Sequence, residues 1–187
     1  PQSTVWGSDA IGGVISITTK KGTGKKPSQF ASFEVGSFAT FRETLGSSGA
    51  INEKFDYSLT VSRLDKEGIN TAAFATNGNE KDGFQMSTLS HRLGYNLSDK
   101  TRIDFIGRWL KSSLDTDTSG TSDNPVSESP IDTFSLSLPI STHLTDWWKV
   151  KLLPSYFYDA DINNQIYNRN STIDIQNNLD LGKYYSV

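Results

Sequence analysis

The chain has 187 residues, of which 18 are Lys or Arg and 21 are Asp or Glu, giving a formal net charge of −3. This balance lacks the basic surplus of a nucleic-acid-binding domain, so we expect no nucleic-acid partner. Cysteine is absent, which excludes disulfide bonds and thiolate chemistry. No run approaches the roughly 18 consecutive apolar residues that a transmembrane helix needs.

The first element is the run 5–21, VWGSDAIGGVISITTKK, which begins as a turn and ends as a strand. Gly12 and Gly13 permit backbone angles or close approaches that a side chain would block. Ser8 and Asp9 favour turns and helix caps. The β-branched residues within 14–19 favour a strand. These residue types alone leave an ordinary glycine turn before a core strand as an alternative.

The whole run resembles the motif that ends the plug domain of TonB-dependent outer-membrane receptors, just before the first barrel strand. Ser16 replaces the usual Asn of that motif, and Thr18 stands where Ile is commoner. The resemblance implies a plug end at 1–22, a linker at 23–27 and the N-terminal part of a barrel at 28–187. The plug-motif residues are Trp6, Gly7, Ser8, Asp9, Ala10, Gly12 and Gly13.

From Ser28 onward the sequence alternates between apolar and polar residues in segments of about ten, the length of a membrane-spanning strand. For example, Phe55, Tyr57, Leu59 and Val61 share one face of a predicted strand. The pattern predicts an all-β fold with about eight antiparallel strands. Together with the plug motif, it indicates part of a larger transmembrane barrel of about 22 strands.

The predicted connections differ in length. Short links are predicted near Gly36 and at 49–54, 97–100 and 142–146. Long polar links are predicted at 65–82, 114–130 and 160–171. Short turns on one rim and long loops on the other are typical of outer-membrane barrels, whose long loops are extracellular.

The segment 115–120, DTDTSG, matches the first half of a calcium-binding loop, with oxygen ligands at positions 1, 3 and 5 and Gly at position 6. Val126 occupies the twelfth position, where an EF-hand needs a bidentate Glu, so an EF-hand is excluded. Asp159 and Asp161 open the next predicted loop and would add carboxylates if the two loops meet.

The segment 76–85, TNGNEKDGFQ, and the spacing of the later Asp-rich loops resemble the cobalamin (vitamin B12) receptor branch of the same family. That resemblance implies loop carboxylates that bind calcium and loops that bind the ligand. The implied calcium ligands are Asp115, Asp117, Asp159 and Asp161. The implied ligand-binding residues are Asn70, Asn77, Asn79, Asp123, Asn124, Asn163 and Asn164.

We therefore expect a receptor in the bacterial outer membrane, in contact with its lipid, that imports a metal chelate. Cobalamin is the first candidate and an iron-siderophore the second. The TonB complex would supply energy through an N-terminal segment that this sequence does not include. No catalytic arrangement is present, since His91 and His143 are isolated, and no covalent cofactor is expected. The alternatives are a small eight-stranded structural or adhesin barrel and a soluble β-sandwich that binds carbohydrate.

Overall fold

The computed structural model describes residues 21–22, 26–70, 72, 81–117, 127–180 and 182. These residues form one antiparallel sheet of nine strands, which confirms the all-β prediction and is consistent with part of a barrel wall. The strands are β1 (Ser28–Gly36), β2 (Thr40–Ala50), β3 (Phe55–Ile69), β4 (Asp82–Asn96), β5 (Thr101–Asp115), β6 (Glu128–Ser137), β7 (Ile140–His143), β8 (Trp148–Asp161) and β9 (Ile166–Leu179). No helix in these described ranges is long and apolar enough to cross a membrane.

β6 and β7 are two halves of one wall strand. Both lie between β5 and β8. The register with β5 is the same on either side of the interruption, since Ile106 is opposite Ser137 and Ile103 is opposite Ile140. Pro139 has no N–H to donate, but its carbonyl accepts a hydrogen bond from the backbone N–H of Asp104 at 2.9 Å. The sheet therefore has eight wall strands, as the sequence predicts.

The wall strands follow one another as an up-and-down meander, so their connections fall alternately on two rims. The short-turn rim carries the turns 51–54, 97–100 and 144–147. The opposite rim, called here the long-loop rim, carries the connections 70–81 and 116–127. It also carries two short turns, 37–39 and 162–165, so loop length is not uniform on that rim.

The prediction of a long polar loop over 160–171 is wrong. β8 continues to Asp161 and β9 begins at Ile166, with cross-strand pairs from Asp161–Ile166 to Tyr156–Ser171. Gln165 adopts a positive φ of 55° and completes the turn that reverses the chain. The segment is polar because its side chains lie near the rim or on the polar face of the sheet. Its backbone is nevertheless paired as a strand over most of its length.

The two faces of the sheet differ in chemistry. In register, Leu45 pairs with Val61, Val61 with Leu89, and Leu89 with Trp109, which makes a continuous apolar row across four strands. The row through Ser58, Arg92 and Ile106 lies on the other face, where most strand residues are polar. This division confirms the predicted alternation, with one apolar and one polar face.

The polar face is the concave one. Alternate residues of β4, β5, β7, β8 and β9 on this face line a single space of about 1140 Å³, called here the basin. The apolar residues of the convex face are largely uncovered: Leu59 is 42% exposed, Val61 47% and Ile173 71%. On the concave face, Arg92 is only 7% exposed and Asp104 6%. A water-soluble sheet would bury its apolar face, so this arrangement is reversed.

The apolar convex surface stops below the long-loop rim. There Arg63 donates to both carboxylate oxygens of Asp65, to Ser87 at 2.9 Å and to Gln85 at 2.7 Å. Lys111 continues this polar row as the cross-strand partner of Ser87. β3, β4 and β5 have 15 residues each, more than the 9–11 or so needed to cross a bilayer. The extra length forms a polar extension of the wall.

Candidate functional site on the concave face

The concave face contains a network of four charged side chains near the short-turn rim. Arg102 contacts Asp56 on β3, with Nη1 2.7 Å from Oδ2, and Asp104 on its own strand, with Nη2 2.9 Å from Oδ1. Arg92 on β4 donates from Nε to the same Oδ1 of Asp104 at 3.1 Å. The network thus joins three neighbouring strands, because Arg102 links β5 to β3 and Asp104 links β5 to β4.

Local sequence explains how the guanidinium of Arg102 reaches across the sheet. Gly94 lies between Asp56 and Asp104 in the register, and a Cβ at Gly94 would collide with the guanidinium of Arg102. The missing side chain leaves the space through which Arg102 contacts β3. Any larger residue at this position would displace the guanidinium from Asp56.

The charges of the network balance, with two Arg against two Asp. The side chains of Arg92 and Asp104 are 9% and 8% exposed, so their charges are held away from bulk water. Burial of such groups is tolerated only when they are paired and hydrogen-bonded, and here both conditions hold. The network therefore fixes β3, β4 and β5 to one another and presents little net charge to the basin.

The sequence gives little indication of this network. Asp56 and Arg92 fall on the polar faces of predicted strands, which is the only signal that the sequence offers. Arg102 is 46 residues from Asp56 along the chain, so the contact depends on the register of three strands. The register is set by the pairing of whole strands and cannot be read from these residues alone.

The four predicted calcium ligands are not assembled into one site. Asp115 is the last residue of β5, and its carboxylate accepts the backbone N–H of Gly83 at 3.0 Å on the convex side. Asp159 lies on the concave side of β8 and accepts from the hydroxyl of Thr133 at 2.7 Å. Opposite faces and the intervening β6 separate these carboxylates. No group of three or more acidic or His side chains suited to a metal occurs within the described ranges.

Asp161 is the last residue of β8, and its carboxylate organises the turn to β9. It accepts the backbone N–H of Asn164 at 3.1 Å and the side-chain amide of Asn164 at 2.7 Å. These hydrogen bonds hold the pKa of Asp161 below its ordinary value. Asp117 lies just beyond the end of β5 and takes part in at least one hydrogen bond or electrostatic interaction.

The predicted ligand-binding residues are only partly described. Asn70 directly follows β3 at the long-loop rim. Asn163 lies in the turn after β8, where its side-chain amide donates to the backbone carbonyl of Glu128 on β6, and Asn164 holds Asp161. All three lie at the long-loop rim. Asn77, Asn79, Asp123 and Asn124 lie outside the described residues.

The plug-motif residues also lie outside the described residues: Trp6, Gly7, Ser8, Asp9, Ala10, Gly12 and Gly13. The first described residues are Lys21, which lines the basin, and Gly22. A Cβ at Gly22 would collide with the backbone carbonyls of Gly49 and Tyr57. Only glycine permits this approach, so the chain that leads into β1 passes close against the short-turn end of β2 and β3.

No protein-family model matches the chain. The chain is similar to the vitamin B12 transporter BtuB of Vibrio vulnificus (strain YJ016), with 29% identity over 115 residues. The matched region covers 62% of this chain and 18% of that transporter, so the chain spans less than a fifth of its relative's length. This similarity links the chain distantly to the family of that transporter.

Proposed function

We propose that this chain is part of the barrel wall of a TonB-dependent outer-membrane transporter that imports a metal chelate, with cobalamin as the substrate. The single observation that carries the proposal is the reversed distribution of polarity. The exposed convex face is apolar, and the concave face buries paired charges such as Arg92 and Asp104. Such a wall suits hydrocarbon outside and a polar lumen inside.

The open sheet supports a large barrel. Within the described residues β1 pairs only with β2, and β9 pairs only with β8. A closed eight-stranded barrel would instead pair the first wall strand with the last. The unpaired edges therefore favour eight strands of a larger cylinder over the small structural or adhesin barrel. They also fit the short share of the B12 transporter that the chain matches.

The proposed orientation follows from the rims. The long-loop rim would face the exterior and bind the substrate, with Asn70, Asn163 and Asn164 among the contributors. The short-turn rim would face the periplasm, where the TonB complex acts through a segment outside this sequence. The chain's role in the proposal is binding and passage, without catalysis.

The place proposed for calcium is the long-loop rim. Asp159 and Asp161 are two residues apart on the concave side of β8, so these two carboxylates share a face. Asp115 lies on the other face, so a calcium site that uses all four predicted carboxylates does not fit the described arrangement. Calcium binding therefore enters no step of the proposed transport.

The substrate is tested by deleting the gene in its host and measuring uptake of radiolabelled cyanocobalamin by intact cells. We expect uptake to fall at least ten-fold and to return when the gene is supplied again. Growth of the same strains on limiting ferric siderophore is the matched control and should not change. Loss of siderophore-dependent growth with normal cobalamin uptake would replace cobalamin by the iron chelate, and unchanged phenotypes on both would reject the transport role.

A further inference from the structure

Arg108 differs from the other arginines of the wall. The structure describes all six arginines of the chain. Five of them contact a carboxylate or an aromatic ring: Arg42, Arg63, Arg92, Arg102 and Arg169. Within the described residues, the guanidinium of Arg108 has no ion pair and no hydrogen bond. Its five N–H donors are therefore available to a ligand.

Arg108 lies on the concave face near the middle of β5, with Ser90 of β4 and Ser135 of β6 as its cross-strand neighbours. The wall around it forms a pocket of about 470 Å³, called here the Arg108 pocket. This volume is within the range of roughly 300–1,000 Å³ that is usual for small-molecule sites. Five hydroxyl side chains and one amide line the pocket: Ser90, Ser135, Ser137, Ser155, Thr172 and Asn170.

The Arg108 pocket combines one uncompensated charge with several polar groups that the protein does not use. Among the described residues that line it, Arg108 alone is charged. The five hydroxyls and the amide form no side-chain hydrogen bond within the described part of the chain. Hydroxyl and amide groups both donate and accept, whereas a guanidinium only donates. The pocket thus offers one position for an oxyanion, surrounded by groups that suit either donors or acceptors.

We propose that the Arg108 pocket binds a phosphorylated sugar group of the substrate during its passage through the lumen, and this inference rests on the proposed function. The planar guanidinium matches two phosphate oxygens at once, which a lysine cannot do. The hydroxyls of the sugar would pair with the Ser and Thr hydroxyls and with Asn170. Phe157 is 39% exposed and lines the same pocket, so it offers an apolar surface to the C–H groups of the sugar ring.

The position of the Arg108 pocket supports a role in passage. β5 continues from Arg108 to Asp115 at the long-loop rim. In the other direction, Ile106 and Ser137 line both the Arg108 pocket and the basin. A group that moves along this wall from the long-loop rim therefore meets Arg108 before it reaches the basin.

The test is isothermal titration calorimetry of the full-length protein in detergent with ribose 5-phosphate. We expect the affinity to fall at least ten-fold in R108Q, which should fold because Arg108 has no contact to lose within the described residues. R169Q is the matched control, since Arg169 lies on the convex face over the ring of Tyr158, and its affinity should equal that of the wild type. No binding by the wild type, or equal binding by R108Q, would overturn the proposal.

Two further titrations examine the sugar part of the ligand. Ribose and inorganic phosphate should each bind the wild type several-fold more weakly than ribose 5-phosphate does. The variant S135A/S155A should lose affinity for ribose 5-phosphate a few-fold while its affinity for inorganic phosphate stays the same. Inorganic phosphate that binds as tightly as ribose 5-phosphate would overturn the assignment to a phosphorylated sugar.

Uptake by intact cells separates this inference from the proposed function. Import of radiolabelled cyanocobalamin should be several-fold slower in R108Q than in R169Q. Equal import by the two variants would overturn the role in passage. If the wild type imports no cobalamin, the proposed substrate is rejected, and the calorimetry still decides whether the Arg108 pocket binds a phosphorylated sugar.

Discussion

The convex and concave faces are built from the same strands, residue by residue in alternation, yet they place charge and apolar area in opposite ways. On the convex face, apolar side chains such as Leu59 are left uncovered, whereas the concave face buries Arg92 and Asp104. A sheet in water would need the reverse distribution of apolar and charged side chains. The stability of this sheet therefore depends on what surrounds each of its faces.

The largest effect is expected from Asp104→Ala on the concave face. The change leaves Arg92 and Arg102 close together with one carboxylate fewer, and breaking a buried pair typically costs about 3–5 kcal/mol. The free energy of unfolding of the protein folded into lipid vesicles, measured by urea titration, should fall by that amount. Asp174→Ala is the control, because Asp174 on β9 also lies on the concave face but is exposed. Equal losses in both variants would contradict a special role for the network.

Leu59→Arg tests the convex face. If this face meets hydrocarbon, an arginine near the middle of the band should cost about 2–4 kcal/mol in the same vesicle titration. Thr60→Arg, one residue along and on the concave face, should cost much less, since its side chain would reach water. A similar cost for the two arginines would mean that Leu59 does not face lipid.

A smaller effect concerns packing within the convex face. Gly107 leaves space for the imidazole of His91, which also packs on Phe105 with ring centroids 5.1 Å apart. A methyl group at Gly107→Ala would collide with that ring and should cost about 1–3 kcal/mol of stability. In a His91→Ala background the same change should be nearly neutral. A cost that persists in that background would show that the backbone, not the ring, limits position 107.

The smallest effect is expected at the rim, where the two faces end. Asp161 has a lowered pKa, so its hydrogen bonds to Asn164 stabilise the turn above the unfolded-state pKa of about 3.9 and are lost as the pH falls through the folded-state pKa. The difference in unfolding midpoint between wild type and Asp161→Asn should be constant near pH 7 and shrink in acid. A difference that is independent of pH would show that ionisation of Asp161 does not stabilise the turn.

Much of the wall could be predicted from sequence, because alternation depends on local residue order. Phe55, Tyr57, Leu59 and Val61 share the convex face as the period of two requires. The sequence predicts a long loop at 160–171, where the structure has only the turn 162–165, because a strand with one face in water carries the same polar residues as a loop. Composition cannot separate the two, and only the pairing with β8 shows that the segment is a strand.

The candidate site was harder to predict than the fold. The network of Asp56, Arg102, Asp104 and Arg92 requires the register of three strands. Two of the predicted calcium ligands, Asp115 and Asp159, proved to lie on opposite faces, which depends on the position of each residue within its strand. The sequence gives the types of the residues and their spacing. A site also depends on the face of the sheet and the strand on which each residue lies.

Within the part of the chain that the structure describes, the outer edges of β1 and β9 have no partner strand, which has a practical consequence for anyone who produces this chain by itself. Each edge offers a row of free amide and carbonyl groups, and the two edges run in opposite directions. The β9 edge of one copy can therefore add the β1 edge of another and continue the up-and-down order. Repetition of that step gives rings or filaments, so the purified chain should form concentration-dependent assemblies even in detergent.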